Sequence, residues 1–168
     1  MSLRTKNDYQ TYLYDFLKFD TLVVCPGCSG QAIVKPGSFF DYPRVKEPDV
    51  RLICPNCGFN RQLEEKRNTV ISSPRLPARK GALIIGGPFD PFFYEPVWLK
   101  TSCDGQVLWA YNTVHLNFLK DHVEARLRER NFIRSTTNRS VASRLPRWMT
   151  SKKNRDLVLK KIQELQLK

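Results

Sequence analysis

The chain has 168 residues, 41% of them hydrophobic, which suits one domain, or one domain with a small satellite, and is long enough to bury a core without disulfide staples. No run approaches the roughly 18 to 20 apolar residues of a membrane span, and the polar start MSLRTKNDYQ has no signal-peptide core, so a cytoplasmic location with no membrane partner is expected. The net charge of +12 is lopsided: residues 120–168 hold 14 Lys and Arg against 5 Asp and Glu, whereas residues 1–70 hold 10 against 8.

In chain order, the first element is a helix over residues 7–19, read from Tyr9, Tyr12, Leu13, Phe16 and Leu17 at helical spacing, with Asn7 as cap and Gln10 three residues on. It forms an N-terminal unit, 1–20. Residues 21–34 (TLVVCPGCSGQAIV) read as strand, knuckle, strand, and 50–65 (VRLICPNCGFNRQLEE) repeat that plan. The Pro-rich stretch between them is a long loop. Its Phe39, Phe40 and Tyr42 need cover, beneath the cysteines or on the N-terminal helix. Residues 66–80, with Pro74 and Pro77, are a linker.

Ala82 to Ile85 is a short apolar run suited to a buried strand. The GGPFDP that follows has neither the order of a phosphate-binding loop nor that of a dinucleotide fingerprint, and reads as a turn packed by aromatics. Asp104-Gly105 between two strand-like runs marks a β-hairpin, with Cys103 opposite Gln106, Lys100 opposite Trp109 and Trp98 opposite Tyr111. One face then carries Trp98, Lys100, Trp109 and Tyr111, either as a core seam or as a stacking surface for bases. A helix over 113–130 follows, capped by Asn112 or Thr113, with Leu116, Leu119, Val123 and Leu127 in one stripe. Ser140 opens a short helical stretch broken at Pro146, and Val158, Ile162 and Leu165 define a last amphipathic helix.

Cys25, Cys28, Cys54 and Cys57 form two C-x2-C pairs separated by 25 residues. In such a pair a tight turn aims both sulfurs at one ion, and proline after the first Cys presets the turn. In the cytoplasm, paired thiols bind metal more often than they form disulfides. Two pairs without a thioredoxin-like βαβ pattern point to one Zn2+ held by four thiolates rather than to redox chemistry. A closed four-ligand sphere makes that ion structural. Lys35, Arg51 and Arg61 are candidates to offset the charge of the thiolates.

Residues 21–65, through Cys25, Pro26, Cys28, Cys54, Pro55, Cys57 and Gly58, resemble the zinc-ribbon family of transcription factors and many small bacterial proteins. The first knuckle departs from the pattern in having Ser29-Gly30 after its second cysteine. The remaining two-thirds resemble uncharacterised bacterial proteins that contain a zinc ribbon, a likeness that brings no mechanism.

Cys103, His115 and His122 are the other candidates for chemistry. Cys103 sits at the hairpin turn, and the two histidines are two helical turns apart, too far to share a metal directly. No catalytic constellation and no small-molecule substrate follow. The expected fold is α+β: a four-cysteine zinc ribbon and a short β-hairpin packed with about three helices, the region 81–168 holding the hairpin and the basic helices. The expected function is non-enzymatic, with nucleic-acid phosphates met by Arg126, Arg128, Arg130, Arg134, Arg139, Arg144, Arg147, Lys152, Lys153 and Arg155. The alternative is a protein-interaction module that binds an acidic partner.

Overall fold

The computed structural model describes residues 4–5, 11–41, 49–63, 84–125, 127–128 and 140–168. Four short strands, β2 (Thr21–Val24), β3 (Gln31–Lys35), β4 (Arg51–Ile53) and β5 (Asn60–Gln62), make an antiparallel meander in sequence order. Alternation sets its buried side: Val23, Ala32, Val34 and Leu52 are inside, with Val50 just before β4. They pack with Phe92 and Phe93 from the turn after Asp90, and Phe39 and Phe40 add to the same cluster. The Pro-rich loop thus covers its phenylalanines beneath the cysteine-bearing sheet. Phe40 also reaches the cluster around Phe16 in the N-terminal segment. Tyr42 and the linker 66–80 lie outside the described residues.

β6 (Leu99–Cys103) and β7 (Gln106–Ala110) form the hairpin in the expected register, from Cys103 opposite Gln106 to Leu99 opposite Ala110. Asp104 and Gly105 both have positive φ, 50° and 72°, the geometry of a two-residue turn whose twist matches the strands. Leu99, Leu108 and Ala110 pack on Leu116, Leu119 and Val123 of α1 (Thr113–Glu124) and on Val158, Ile162 and Leu165 of α4 (Arg155–Gln166). α2 (Val141–Arg144) and α3 (Arg147–Thr150) are single turns separated by Pro146, and a 3-10 turn over Lys152–Asn154 leads into α4. The molecule is α+β. No helix among the described residues is long and apolar enough to cross a membrane.

The sheet and the hairpin are joined by backbone hydrogen bonds. The Leu22 N–H donates to the Tyr111 carbonyl at 2.8 Å, and the Trp98 N–H donates to the Leu22 carbonyl at 2.9 Å. Leu22 therefore stands between the two ends of the hairpin, where direct pairing of Trp98 with Tyr111 was expected. The Val24 N–H donates to the Pro96 carbonyl at 2.8 Å, so residues 96–98 run along the free edge of β2.

Three expected elements differ. The N-terminal helix is a 3-10 helix over Leu13–Lys18, begun where the Tyr12 N–H donates to the Asp15 carboxylate at 2.9 Å. Asn7, the expected cap, lies outside the described residues, although Phe16 and Leu17 are buried as the pattern required. Ile84 and Ile85 are not in a strand, and Ile84 is exposed; residues 82 and 83 lie outside the described residues. α1 stops at Glu124, six residues early. Ala125 turns to extended geometry and its carbonyl accepts from the Arg155 guanidinium at 3.4 Å. Leu127 is accordingly not on the helical stripe but in a two-residue strand, β8 (Leu127–Arg128), which pairs in parallel with β1 (Arg4–Thr5).

The turn after Gly86 is organised by a buried carboxylate. Asp90 accepts from the Phe92 N–H at 3.3 Å and from the Phe93 N–H at 2.5 Å. Burial nevertheless dominates and pushes its pKa up to about 6 from 3.8. A carboxyl whose folded pKa is raised adds stability that is complete below about pH 3.8 and is lost as pH rises through about 6. On that shift, the loss is on the order of 3 kcal/mol. Asp90→Asn is expected to abolish this slope, read from urea midpoints of the two proteins between pH 4 and 7.

Candidate metal centre

Both knuckles are built by the same backbone bonds. In the first, the Cys25 carbonyl accepts from the Ser29 N–H at 2.9 Å, and the Cys25 N–H donates to the Gly30 carbonyl at 2.7 Å. In the second, the Cys54 carbonyl accepts from the Gly58 N–H at 3.0 Å, and the Cys54 N–H donates to the Phe59 carbonyl at 2.8 Å. Because β2–β3 and β4–β5 both turn at the same end of the meander, the two knuckles meet.

The four sulfurs lie within 4.8 Å of one another. Cys25 Sγ is 3.6 Å from Cys57 Sγ, and Cys28 Sγ is 3.7 Å from Cys54 Sγ. Thiolates about 2.3 Å from a shared tetrahedral ion stand about 3.8 Å apart, so the donor set fits one metal ion. Cys25 and Cys54 are buried, while Cys28 and Cys57 face outward. The Gly27 N–H donates to Cys25 Sγ at 3.3 Å, and the Asn56 side-chain amide donates to Cys28 Sγ at 3.5 Å. Asn56 was not singled out in the sequence; its place between the second pair of cysteines was the available signal.

Proton affinities in the cluster are split. The Asn56 amide, followed by the Gly30 backbone, draws the Cys28 thiol down to about 6. At Cys57 the Phe59 backbone also favours the thiolate, but desolvation and the neighbouring sulfurs outweigh it and push the thiol to about 12. One proton leaves easily and another is held tightly. A divalent cation at the centre is what would let all four sulfurs ionise together.

The equivalent turn residues differ between the knuckles. Gly58 has φ 76°, and Ser29 has φ 58°, a left-handed conformation that costs a non-glycine residue about 1 kcal/mol or more. Ser29 is exposed, so Ser29→Gly removes little besides that strain. The substitution is expected to raise the stability of the metal-loaded protein by about 0.5 to 1 kcal/mol, read as a higher denaturant midpoint.

Among the described residues, the three cations expected to offset the thiolates each meet a carboxylate instead. Lys35 and Arg51 pair across the sheet at the end away from the knuckles, and their charges meet Asp20 at 3.8 Å and Asp49 at 2.6 Å. Arg61 meets Glu95 at 3.9 Å and lies over the Phe93 ring. Of the ten basic residues proposed from sequence, Arg126, Arg130, Arg134 and Arg139 lie outside the described residues, and Arg128 falls in β8 rather than on a helix end. Arg144, Arg147, Lys152 and Lys153 are exposed on consecutive short elements. Arg155 is half-buried against the Ala125 carbonyl.

Of the remaining candidates, Cys103 and His115 are buried in the core and His122 is half-buried. Cys103 is buried in the hairpin–helix cluster, which raises its pKa. His115 is 3% exposed and stacks on Phe16 at 4.5 Å; burial lowers its pKa to about 3. His122 stacks on Phe118 at 6.2 Å. The aromatic face of the hairpin is covered rather than open: Tyr111 is fully buried, Trp109 packs on its edge, and the Lys168 ammonium sits 4.5 Å over the Trp98 ring. No family model, no curated protein and no solved structure matches the chain.

Proposed function

We propose that Cys25, Cys28, Cys54 and Cys57 hold one zinc ion as a structural centre, and that the protein is a non-enzymatic zinc ribbon that binds nucleic acid through its basic C-terminal lobe. Four protein ligands leave no coordination position for water or substrate, which supports an architectural role for the metal. A tetrathiolate also suits iron, so metal analysis of the purified protein is the direct check; one zinc per chain without visible absorbance is expected.

The observation that carries the nucleic-acid reading is the contrast between two sets of cations. In the ribbon, Lys35, Arg51 and Arg61 each meet a carboxylate. Among the described residues, none of Arg144, Arg147, Lys152 and Lys153 does. Four exposed cations within ten residues, without a carboxylate partner among the described residues, support attraction to a phosphate backbone.

If each of these cations displaces one counterion, the affinity for DNA falls about a hundredfold between roughly 50 and 200 mM salt. Fluorescence anisotropy with a labelled oligonucleotide reads this, and Lys152→Gln with Lys153→Gln lowers the salt slope by about 2. Absence of a complex even at low salt removes the reading. Tighter binding to polyglutamate than to the oligonucleotide would replace it with that of an acidic protein partner.

A further inference from the structure

A cavity of about 330 Å3 lies between the hairpin, α1 and the α2–α3 segment, and none of the residues that line it belongs to the cysteine centre. Its walls are apolar, with Leu119, Val141 and Met149 among them and the half-buried Trp109 ring alongside. Two polar side chains interrupt them. One is His115, at the buried end. Its Nδ1 accepts from the Tyr111 N–H at 3.2 Å, and burial keeps the ring neutral, so the ring hydrogen sits on Nε2. His115 is among the residues that line the cavity. The other is Arg144, exposed at the mouth, with no carboxylate partner among the described residues.

An apolar chamber at the small end of ligand-site volumes, with one donor inside and one cation at its opening, selects by charge and by shape. We propose that it binds a compact carboxylate with an apolar body: the body fills the space beside Trp109 and Leu119, and the carboxylate pairs with the Arg144 guanidinium at the rim. A polar acceptor on the buried end of such a ligand would meet His115 Nε2–H. A neutral ligand leaves Arg144 unused, and a highly charged one would have to desolvate against Leu119, Val141 and Met149. The site shares Arg144 with the nucleic-acid reading but uses none of Arg147, Lys152 and Lys153, so loss of oligonucleotide binding leaves it standing.

Phenylacetate and its neutral isostere phenylacetamide are suitable probes, titrated into the full-length metal-loaded protein by 1H–15N NMR. Phenylacetate is expected to shift the amides of Val107, Trp109 and Arg144 saturably, with a Kd of about 1 mM or below, and phenylacetamide to bind about tenfold more weakly. Arg144→Gln, at an exposed position, is expected to equalise the two. Val107→Phe, a larger side chain at the half-exposed edge of the cavity, is expected to weaken both. The proposal is overturned if neither probe saturates by about 10 mM, if acid and amide bind alike to the wild type, or if Arg144→Gln keeps the preference.

Discussion

Treatment of the reduced protein with a strong chelator is expected to unfold the four-stranded sheet while leaving the hairpin and its helices folded. A metal held as proposed would contribute on the order of 10 kcal/mol, as in small zinc domains, and that is free energy of folding because the site does not exist in the unfolded chain. The strands themselves offer little to replace it: β4 and β5 are three residues each, none of the five cysteines is in a disulfide, and the inward apolar side chains of the strands are Val, Ala and Leu, the phenylalanines over them coming from the flanking turns and loops. Without the ion, two pairs of sulfurs at 3.6 and 3.7 Å must also keep enough protons to avoid mutual repulsion.

The hairpin, α1 and α4 form their own cluster, to which the sheet contributes only the half-buried Leu22. NMR of the apo protein should therefore lose the dispersed amides of residues 21–35 and 51–62 and keep those of 99–123 and 155–166. Cys54→Ser, at a buried ligand, should mimic chelation. An apo protein whose sheet signals and denaturation midpoint match those of the holo form would sink the structural role of the metal.

Acidification is expected to expose His115 as the second large term. Its imidazole is buried against Phe16 and accepts from the Tyr111 N–H, so protonation removes an acceptor and charges an apolar site. Its pKa is lowered from 6.5 to about 3. A group whose folded pKa is depressed gives stability that is complete above the unfolded value, about pH 6.5, and is lost as pH falls toward about 3. The full loss is on the order of 5 kcal/mol, of which roughly 1 kcal/mol has gone by pH 5.5. Asp90 works in the opposite sense over the same range and masks part of the effect. His115→Asn keeps an acceptor near Nδ1 and cannot gain the charge. Relative to the wild type, its stability, read from urea denaturation, should fall by roughly 1 kcal/mol less between pH 7.5 and 5.5. Equal pH slopes in the two proteins would show that the ring is not the titrating group.

Much of the candidate site was legible because knuckle chemistry is local. Cysteines two residues apart with a proline after the first, and in the second knuckle a glycine at the left-handed position, specify a turn whatever surrounds it. The Asp-Gly turn set the hairpin register for the same reason, and the spacing of Val158, Ile162 and Leu165 was enough to place α4 and its buried face. Lys35 and Arg51 are close to the cysteines along the sequence but not in space. Antiparallel pairing carries both to the far end of the sheet. The run ARLRER reads as helix on propensity, yet α1 ends before it, at a carbonyl capped by Arg155 thirty residues later.

Sequence by itself determined the cysteine set, the two knuckles, the hairpin and the α+β class, all of which rest on contacts between residues close along the chain or on a strict side-chain period. Tertiary structure alone decided that Leu22 stands between the ends of the hairpin, that His115 and Asp90 are buried, and that Arg144 stands at the mouth of a cavity. Backbone hydrogen bonds such as those of Leu22 leave no mark on residue type, since every non-proline residue carries the same donor and acceptor. Burial of a titratable side chain depends on which distant elements close over it, and that is fixed only when the chain has folded.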